Sequence, residues 1–451
     1  MKSFAGSIAV FQGWLQRREH NLMIPWFAVR SEASLSPGDR KVIFLPASLI
    51  VLLLGVLALQ PTFHDLKILS AVFSASAIAL MFVAGIRNGT LPEKSLPLLA
   101  TLLVVDGTLI RLVLAWFFQG NYDAVSWQIA AERYHLGLDP YSGNARYNSP
   151  PIWFWILGAL KSAQNYFPKT SFHFVFCSFL TLIDLATFFV LAKIAKRQNV
   201  PAYIPALFFY FNPVSFLLTG YQGQFDSIPI LCVVLGLWFF LSRRSGEGAV
   251  LFWICCTLGT VIKQIIFFET LVALNAGFKR VGIRLLLFGL TSSVFVALLM
   301  LYWAVGKEDI LRNVIFYSSY ALPYGISTFF KTGFIKWGFI SALVLFPFTI
   351  RKYSVERQLL MMMLFFLVFT TGVGVQYFVL PVALGALVPS LGSRLYAAST
   401  TLFLLGNYYN LHIQALSFMP WNAVWISAAL WFLLELRHGP SDGAPTDVAL
   451  K

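Results

Sequence analysis

Charge is scarce in this sequence. Only 12% of its 451 residues are Asp, Glu, Lys or Arg, whereas 58% are apolar, against about 25% charge in an ordinary globular domain. Such a chain has more hydrophobic surface than a water-soluble globule can bury, which excludes water as its main solvent. Cysteine is nearly absent too. The four that exist, Cys177, Cys232, Cys255 and Cys256, all lie in apolar runs, where they read as small hydrophobic packers, so no disulfide framework is expected. His135, His173 and His412 have no metal-ligand spacing and the His-x-x-x-His arrangement is missing, so neither a metal nor another cofactor is expected. Acidic residues are outnumbered by basic ones, 19 to 33, for a net charge of +14. The basic residues fall in short clusters between apolar runs and not along one face or tail, which argues against nucleic acid as a partner and for the positive-inside rule. Alternating strands, repeats of fixed period and low-complexity tracts are also missing, which excludes a membrane barrel and a solenoid.

What is present is a series of apolar runs, among them 42–59, 66–86, 96–118, 172–192, 228–241 and 283–305, close to the roughly 20 residues a helix needs to cross a hydrocarbon core. The fold expected is all-α, a polytopic transmembrane helical bundle. Residues 1–41 are mixed and amphipathic and lack the compact apolar core and small-residue cleavage site of a signal peptide, so they read as a cytosolic segment. Residues 42–438 form the membrane domain and 439–451 a flexible cytosolic tail.

Three spans from a cytosolic N-terminus place 119–150 outside. Residues 151–164 are too short for an ordinary span and start at the Pro150-Pro151 break, which marks a shallow or re-entrant helix. Kept on the outer side, it leaves more than twice as many Lys and Arg inside as outside. Counted as a crossing, it inverts that balance. The first scheme needs further breaks at Lys263 and Gln264 and at 372–377, giving about fourteen segments. Broken helices at membrane depth are tolerated where backbone faces protein or a watery cavity, so they tend to mark a site. The outer face then collects the polar clusters 119–150, 220–226, 263–264, 306–336, 376–377 and 407–420.

Among individual charges, Asp123 stands at the start of a short amphipathic helix. It reads either as a helix N-cap or as a carboxylate facing the headgroup layer. Asp226 reads either as the cap of the span that begins at Ser227 or as a site residue. Lys263 is either functional or paired with an acid such as Glu269. Asp106 and Arg111 are five apart on one span, not three or four, so each is expected to find a partner on another helix. Asp184, alone in an apolar span, reads as a polar packing contact. Trp, Tyr and Phe residues are mostly interface belts, with Trp153, Trp155 and Tyr377 able to line a prenyl groove.

Asp123, Gly137, Asp139-Pro140-Tyr141 and Tyr147-Asn148-Ser149-Pro150-Pro151 resemble the first outer loop of membrane glycosyltransferases of the GT-C type. The nearest pattern is that of the GPI mannosyltransferase I catalytic subunit and its prokaryotic relatives, which use polyprenyl-phosphate-linked mannose. Asn212-Pro213 followed by Gly220-Tyr221-Gln222-Gly223-Gln224-Phe225-Asp226-Ser227 is similar to that family's Asn-Pro…Gly-x-x-Asp-Ser segment. Gln376-Tyr377-Phe378 resembles its Gln-Tyr-Phe, and Lys263-Gln264 a lysine at a comparable place. The likeness runs in order from Arg111 to Leu391. It departs at Asn121-Tyr122-Asp123, where the GPI enzymes carry a D-x-D pair and only the second acid is present here.

The resemblance implies an inverting hexosyltransferase that moves a sugar, mannose in the nearest relatives, from a polyprenyl-phosphate donor to a hydroxyl of a glycan or lipid acceptor among membrane lipids. Asp123 would be the base. A lipid phosphate is already a good leaving group, so no second carboxylate need act as acid. Lys263, with Arg146 second, would hold the developing phosphate charge. Asp139, Tyr141, Tyr147, Gln224, Asp226, Gln264, Gln376 and Tyr377 would bind substrate. The site would face the periplasm from a bacterial inner membrane, or the lumen if the chain is from the endoplasmic reticulum. The competing expectations are a transporter or flippase of a lipid-linked glycan and a non-catalytic scaffold subunit.

Overall fold

The computed structural model describes residues 96–141, 147–198, 200, 203–243, 245–315, 333–370, 372–407 and 421–439. The expected cytosolic segment 1–41, the two apolar runs 42–59 and 66–86, Arg146 and nearly all of the tail lie outside the described residues. The chain divides into two units, 1–103 and 104–451. Of the first, only the opening turns of one helix are described, and the site lies wholly in the second.

The described residues are helical, with no strand among them. In chain order, α1 is Leu96–Phe117, α2 Tyr122–His135, α3 Pro151–Asn165, α4 Phe172–Arg197, α5 Tyr203–Tyr210 and α6 Pro213–Phe216, which runs into a π turn at Leu217–Tyr221. Then come α7 Ser227–Ser242, α8 Ser245–Ile262, a 3₁₀ turn at Gln264–Ile266, α9 Phe267–Gly277, α10 Val281–Met300 and α11 Trp303–Ile310. After a π turn at Leu311–Ile315 follow α12 Gly333–Thr349, α13 Val355–Phe369, a 3₁₀ turn at Val375–Val379, α14 Leu380–Leu387, α15 Leu391–Asn407 and α16 Trp421–Arg437.

Among the described residues three helices are long and apolar enough to cross a membrane: α1 through its window Ala100–Phe117, α4 and α10. A fourth arises if α5 and Pro213–Tyr221, bent by 45° to one another, count as one span. α10 makes the case for a non-aqueous surround most directly, since it is strongly apolar yet only 11% of its window is buried. Its Val281, Leu285, Leu286, Leu290 and Val296 stand exposed, a contiguous patch of a kind that water-soluble monomers do not present.

The breaks follow from local chemistry. α8 stops at Ile262, Lys263 is extended (φ −146°, ψ 114°), and the 3₁₀ turn restarts the helix as α9. α13 stops at Phe369 with Thr370 extended (φ −62°, ψ 143°), and the chain resumes through Val375–Val379 into α14. Both breaks fall where the sequence places them. Between α5 and α6, Asn212 caps the second helix by accepting from Val214 N at 3.1 Å, and Pro213 takes the N1 position, where a missing N–H costs nothing. The π turn then closes with Gln222 N donating to Leu217 O at 3.0 Å, a wider turn of the sort found at functional sites.

α7 packs between α4 and α8, α8 lies against α9, and α2 lies against α3. Beneath α2 the core is aromatic. Trp153 stacks on Phe225 at 4.2 Å between centroids, and Trp127 meets both edge-on, at 5.9 Å and 5.2 Å. Each such pair adds about 0.5–1.5 kcal/mol beyond the area it buries, so the loop ahead of α7 is anchored to α2 and α3 at Phe225.

A buried ion pair fixes the other side of that loop. Arg111 on α1, fully buried, donates from Nε to Asp184 Oδ2 on α4 at 3.2 Å, and from Nη2 to Tyr210 O at 2.8 Å and Ser215 Oγ at 3.0 Å. Ser215 Oγ in turn donates to the same Asp184 oxygen at 3.2 Å. Arg111 thus finds its partner on another helix, as its spacing from Asp106 implied, and Asp184 is the packing contact expected. Gly220 in the π turn lies against Arg111. A Cβ there would stand 3.0 Å from Arg111 Cα, so any larger residue would have to push the α1 backbone back by a few tenths of an ångström. Asp184→Ala leaves the guanidinium buried without its counter-charge and is expected to destabilise the fold by about 3–5 kcal/mol, read as a lowered melting temperature of the detergent-solubilised protein.

Candidate active site at the helix breaks

The site is assembled from the start of α2, the segment between the π turn and α7, the break between α8 and α9, and the turn before α14. Asn121 caps α2, its Oδ1 accepting from Asp123 N at 3.0 Å and Ala124 N at 3.2 Å. The capping role considered for Asp123 therefore belongs to the residue two positions earlier. This follows from Asn and Asp being near-equal caps while only one side chain can reach the first free N–H groups. Asp123 is left half-buried with its carboxylate available, and its Oδ2 accepts from Gln224 Nε2 at 2.8 Å. Its other oxygen is hydrogen-bonded to no described residue.

Two glycines let the two backbone segments of this contact come together. Gly120 and Gly223 both have positive φ, 74° and 67°, a region closed to most side chains. A Cβ on either would press on the same imidazole, at 2.6 Å and 3.1 Å from His173 Cε1.

Next to Asp123, Asp226 is fully buried and makes no side-chain cap to α7. Its two oxygens instead each accept from Lys263 Nζ at 2.6 Å. The partner of Lys263 is thus Asp226 and not Glu269: the extended residue at the helix break brings its ammonium to the start of α7. Glu269 is buried on α9 with Oε2 unpartnered. Burial pushes the Asp226 carboxyl above its ordinary value, the Lys263 ammonium opposes this, and the nearby charge of Asp123 adds to it. The ammonium also lies over the rings of Phe225, at 4.6 Å, and Tyr377, at 5.1 Å, a favourable arrangement for a desolvated cation.

Gln264, beside Lys263, donates from Nε2 to Asn148 O at 3.3 Å, tying the α8–α9 break to the loop before α3. Its Oε1 and that of Gln222 are buried without a partner, and buried acceptors in that condition are ones a bound molecule or water commonly satisfies. Asp139, Tyr141 and Tyr147 do different work. Asp139 Oδ1 accepts from Tyr141 N at 2.8 Å, Tyr141 OH donates to Ser149 O at 2.8 Å, and Tyr147 OH donates to Pro150 O at 2.7 Å. Both rings are buried, so these residues brace the loop against itself. Burial, with the neighbouring Tyr302 and Asp139, pushes the Tyr141 phenol up, and burial does the same for Tyr147, which keeps both as neutral donors. Gln376 is half-buried and folds back over Gly374. No hydrogen bond joins it to the cluster. Arg146 lies outside the described residues.

The structure therefore brings Asp123, Gln224, Asp226, Lys263, Gln264 and Tyr377 together, and it adds Phe225 and the Asn148 carbonyl. Asn121 is the one residue whose role a closer reading of cap preferences would have found. The result is a half-exposed carboxylate steered by one amide, next to a buried acid whose charge is matched by a buried ammonium. Such a carboxylate can accept a proton, and the ammonium has a third N–H beyond the two directed at Asp226.

Removing either partner of that pair leaves a buried charge. Asp226→Asn and Lys263→Met are each expected to cost about 3–5 kcal/mol, while the double variant recovers most of the loss. Thermal melts of the three variants give the cycle.

No protein-family model matches this chain, and no curated protein matches it.

Proposed function

We propose that this chain is a membrane glycosyltransferase of the GT-C type, inverting, which transfers a hexose from a polyprenyl-phosphate carrier to an acceptor hydroxyl, with Asp123 as the base. Mannose is the sugar that the resemblance favours. The observation that carries this reading is the contact of Asp123 with Gln224 immediately beside the Asp226–Lys263 pair. Four motifs that resemble those of such enzymes, far apart in sequence, meet at one place.

The chemistry divides among these groups. The acceptor hydroxyl loses its proton to the carboxylate of Asp123 as its oxygen attacks the anomeric carbon. Gln224 holds one carboxylate oxygen, which leaves the other to face the hydroxyl. The bond to the carrier phosphate breaks in the same step, and the phosphate leaves with an additional negative charge. Lys263 lies within the cluster to receive that charge through its remaining N–H, while Asp226 holds the lysine side chain in place before the donor arrives. In this reading the site faces the outer side of the membrane, the periplasm for a bacterial protein, and the breaks at Lys263 and at 372–377 are where short helices meet that surface. About fourteen membrane segments, with both ends in the cytosol, complete the topology. The donor enters sideways from the lipid.

The direct test uses full-length purified protein, radiolabelled polyprenyl-phosphate mannose and a membrane extract as acceptor source. A new labelled product is expected. Asp123→Asn is expected to lower its rate by roughly 10²-fold or more with the helical circular dichroism and melting temperature unchanged. Gln224→Ala, which removes one hydrogen bond to a charged group, is expected to lower it roughly tenfold. Transfer from no polyprenyl-phosphate sugar, together with transbilayer movement of a lipid-linked glycan, overturns the reading in favour of a transporter. Full activity in Asp123→Asn removes this residue from the chemistry.

A further inference from the structure

At the far end of α9 from the site, about 16 Å along its 11 residues at the rise of an α-helix, cations gather without acids. Asn275, near the end of α9, accepts on a single Oδ1 from Arg351 Nη2 at 2.9 Å and Arg284 Nη1 at 3.4 Å. Arg284 also donates to the carbonyls of Phe278 and Lys279, closing the turn into α10. The guanidinium of Arg351 lies over the Phe348 ring at 4.7 Å. Lys279, Arg280 and Lys352 flank them, exposed like Arg351. Among the described residues no carboxylate pairs with any of these five, whereas ion pairs do form at Arg111, Lys161, Arg243, Lys263, Arg312 and Arg357.

Two like charges on one neutral oxygen repel, and the arrangement is relieved by an anion that both guanidiniums can reach. Planar guanidinium forks match the oxygens of a phosphate. Two further observations say which phosphate. Arg280 precedes α10 and makes no side-chain cap, so the first N–H groups of a 20-residue helix add partial positive charge at this spot. From there α10 runs away with its apolar face bare, Leu285 and Leu286 standing 66% and 70% exposed one turn beyond the cluster. A soluble phosphate would meet only the charges, whereas a phospholipid would meet both the charges and the apolar face.

We propose that Arg284, Arg351 and their lysine and arginine neighbours bind the headgroup phosphate of an anionic phospholipid, whose acyl chains lie along α10. The lipid belongs to the leaflet opposite the proposed sugar-transfer site, and the proposal does not depend on that activity. Clusters of this size next to a membrane span draw anionic lipid by charge, and each cation contributes. The bound lipid joins α9, α10 and the end of α12 at a point where the protein supplies no counter-charge of its own.

The test delipidates the full-length protein in a neutral detergent and adds phosphatidylglycerol, phosphatidylcholine or sodium phosphate. Retained lipid is read by native mass spectrometry, and stability by the melting temperature. Phosphatidylglycerol is expected to be retained and to raise the melting temperature, with retention weakened by salt. Phosphatidylcholine and sodium phosphate are expected to do neither. Arg351→Gln combined with Lys352→Gln is expected to lower retention roughly tenfold without changing the melting temperature of the lipid-free protein. Arg351→Lys keeps most of the retention, and Arg243→Gln, which alters a basic residue already paired with Glu247, keeps all of it. Equal retention of phosphatidylcholine, an unaffected double variant, or a sodium phosphate effect as large as that of phosphatidylglycerol overturns the proposal, the last by showing a soluble-anion site.

Discussion

A charge that is taken out of water must find its opposite, and the interior of this protein is arranged around that constraint. Lys263 and Asp226 come from different helices, and neither can be buried alone, because desolvating an ion costs several kcal/mol that only a close partner offsets. The lysine reaches its partner because the helix ends one residue before it. The aspartate is available because it is not used as a cap. Arg111 and Asp184 solve the same problem deeper in the bundle, with Ser215 and the Tyr210 carbonyl taking the remaining donors. Between these two pairs runs the segment from the π turn to α7, held by charge on both sides and by the stacking of Phe225 on Trp153. That segment carries Gln224.

The placement of irregular backbone follows from the same physics. Where a helix is surrounded by apolar material its N–H and C=O groups must bond within it, so every interruption needs local compensation. Asn212 supplies it before α6 and Asn121 before α2, and the 3₁₀ turns supply it after Lys263 and before α14. Several of these interruptions are also places where polar side chains leave the helix surface and converge. Breaks and site coincide because both need the same relief from regular hydrogen bonding.

Much of this was legible in the sequence. Low charge and long apolar runs gave the all-helical, membrane-suited character, and the polar interruptions at Lys263 and at Gly372 to Tyr377 gave two breaks. Asp123, Gln224, Asp226, Lys263, Gln264 and Tyr377 could be singled out as polar residues at interruptions or in motifs. Which of them touch was not legible, because contacts between helices depend on packing that no local pattern encodes. Lys263 could as easily have reached Glu269, six residues along its own chain, until the extended backbone at position 263 sent it to Asp226. Tyr141 and Tyr147 looked like substrate ligands by their motif. Their hydroxyls turned out to serve carbonyls eight and three residues away, a use of tyrosine that leaves no periodic trace. Asn121 was overlooked because an acid two positions later drew the capping role to itself.

His173 offers a last consequence. Its ring lies against two bends, at Gly120 and at Gly223, neither of which has a side chain to hold it off. Both bends thus close on the same edge of one imidazole, its Cε1. A wider residue at 173 would therefore press on both bends at once, the one before Asp123 and the one before Gln224.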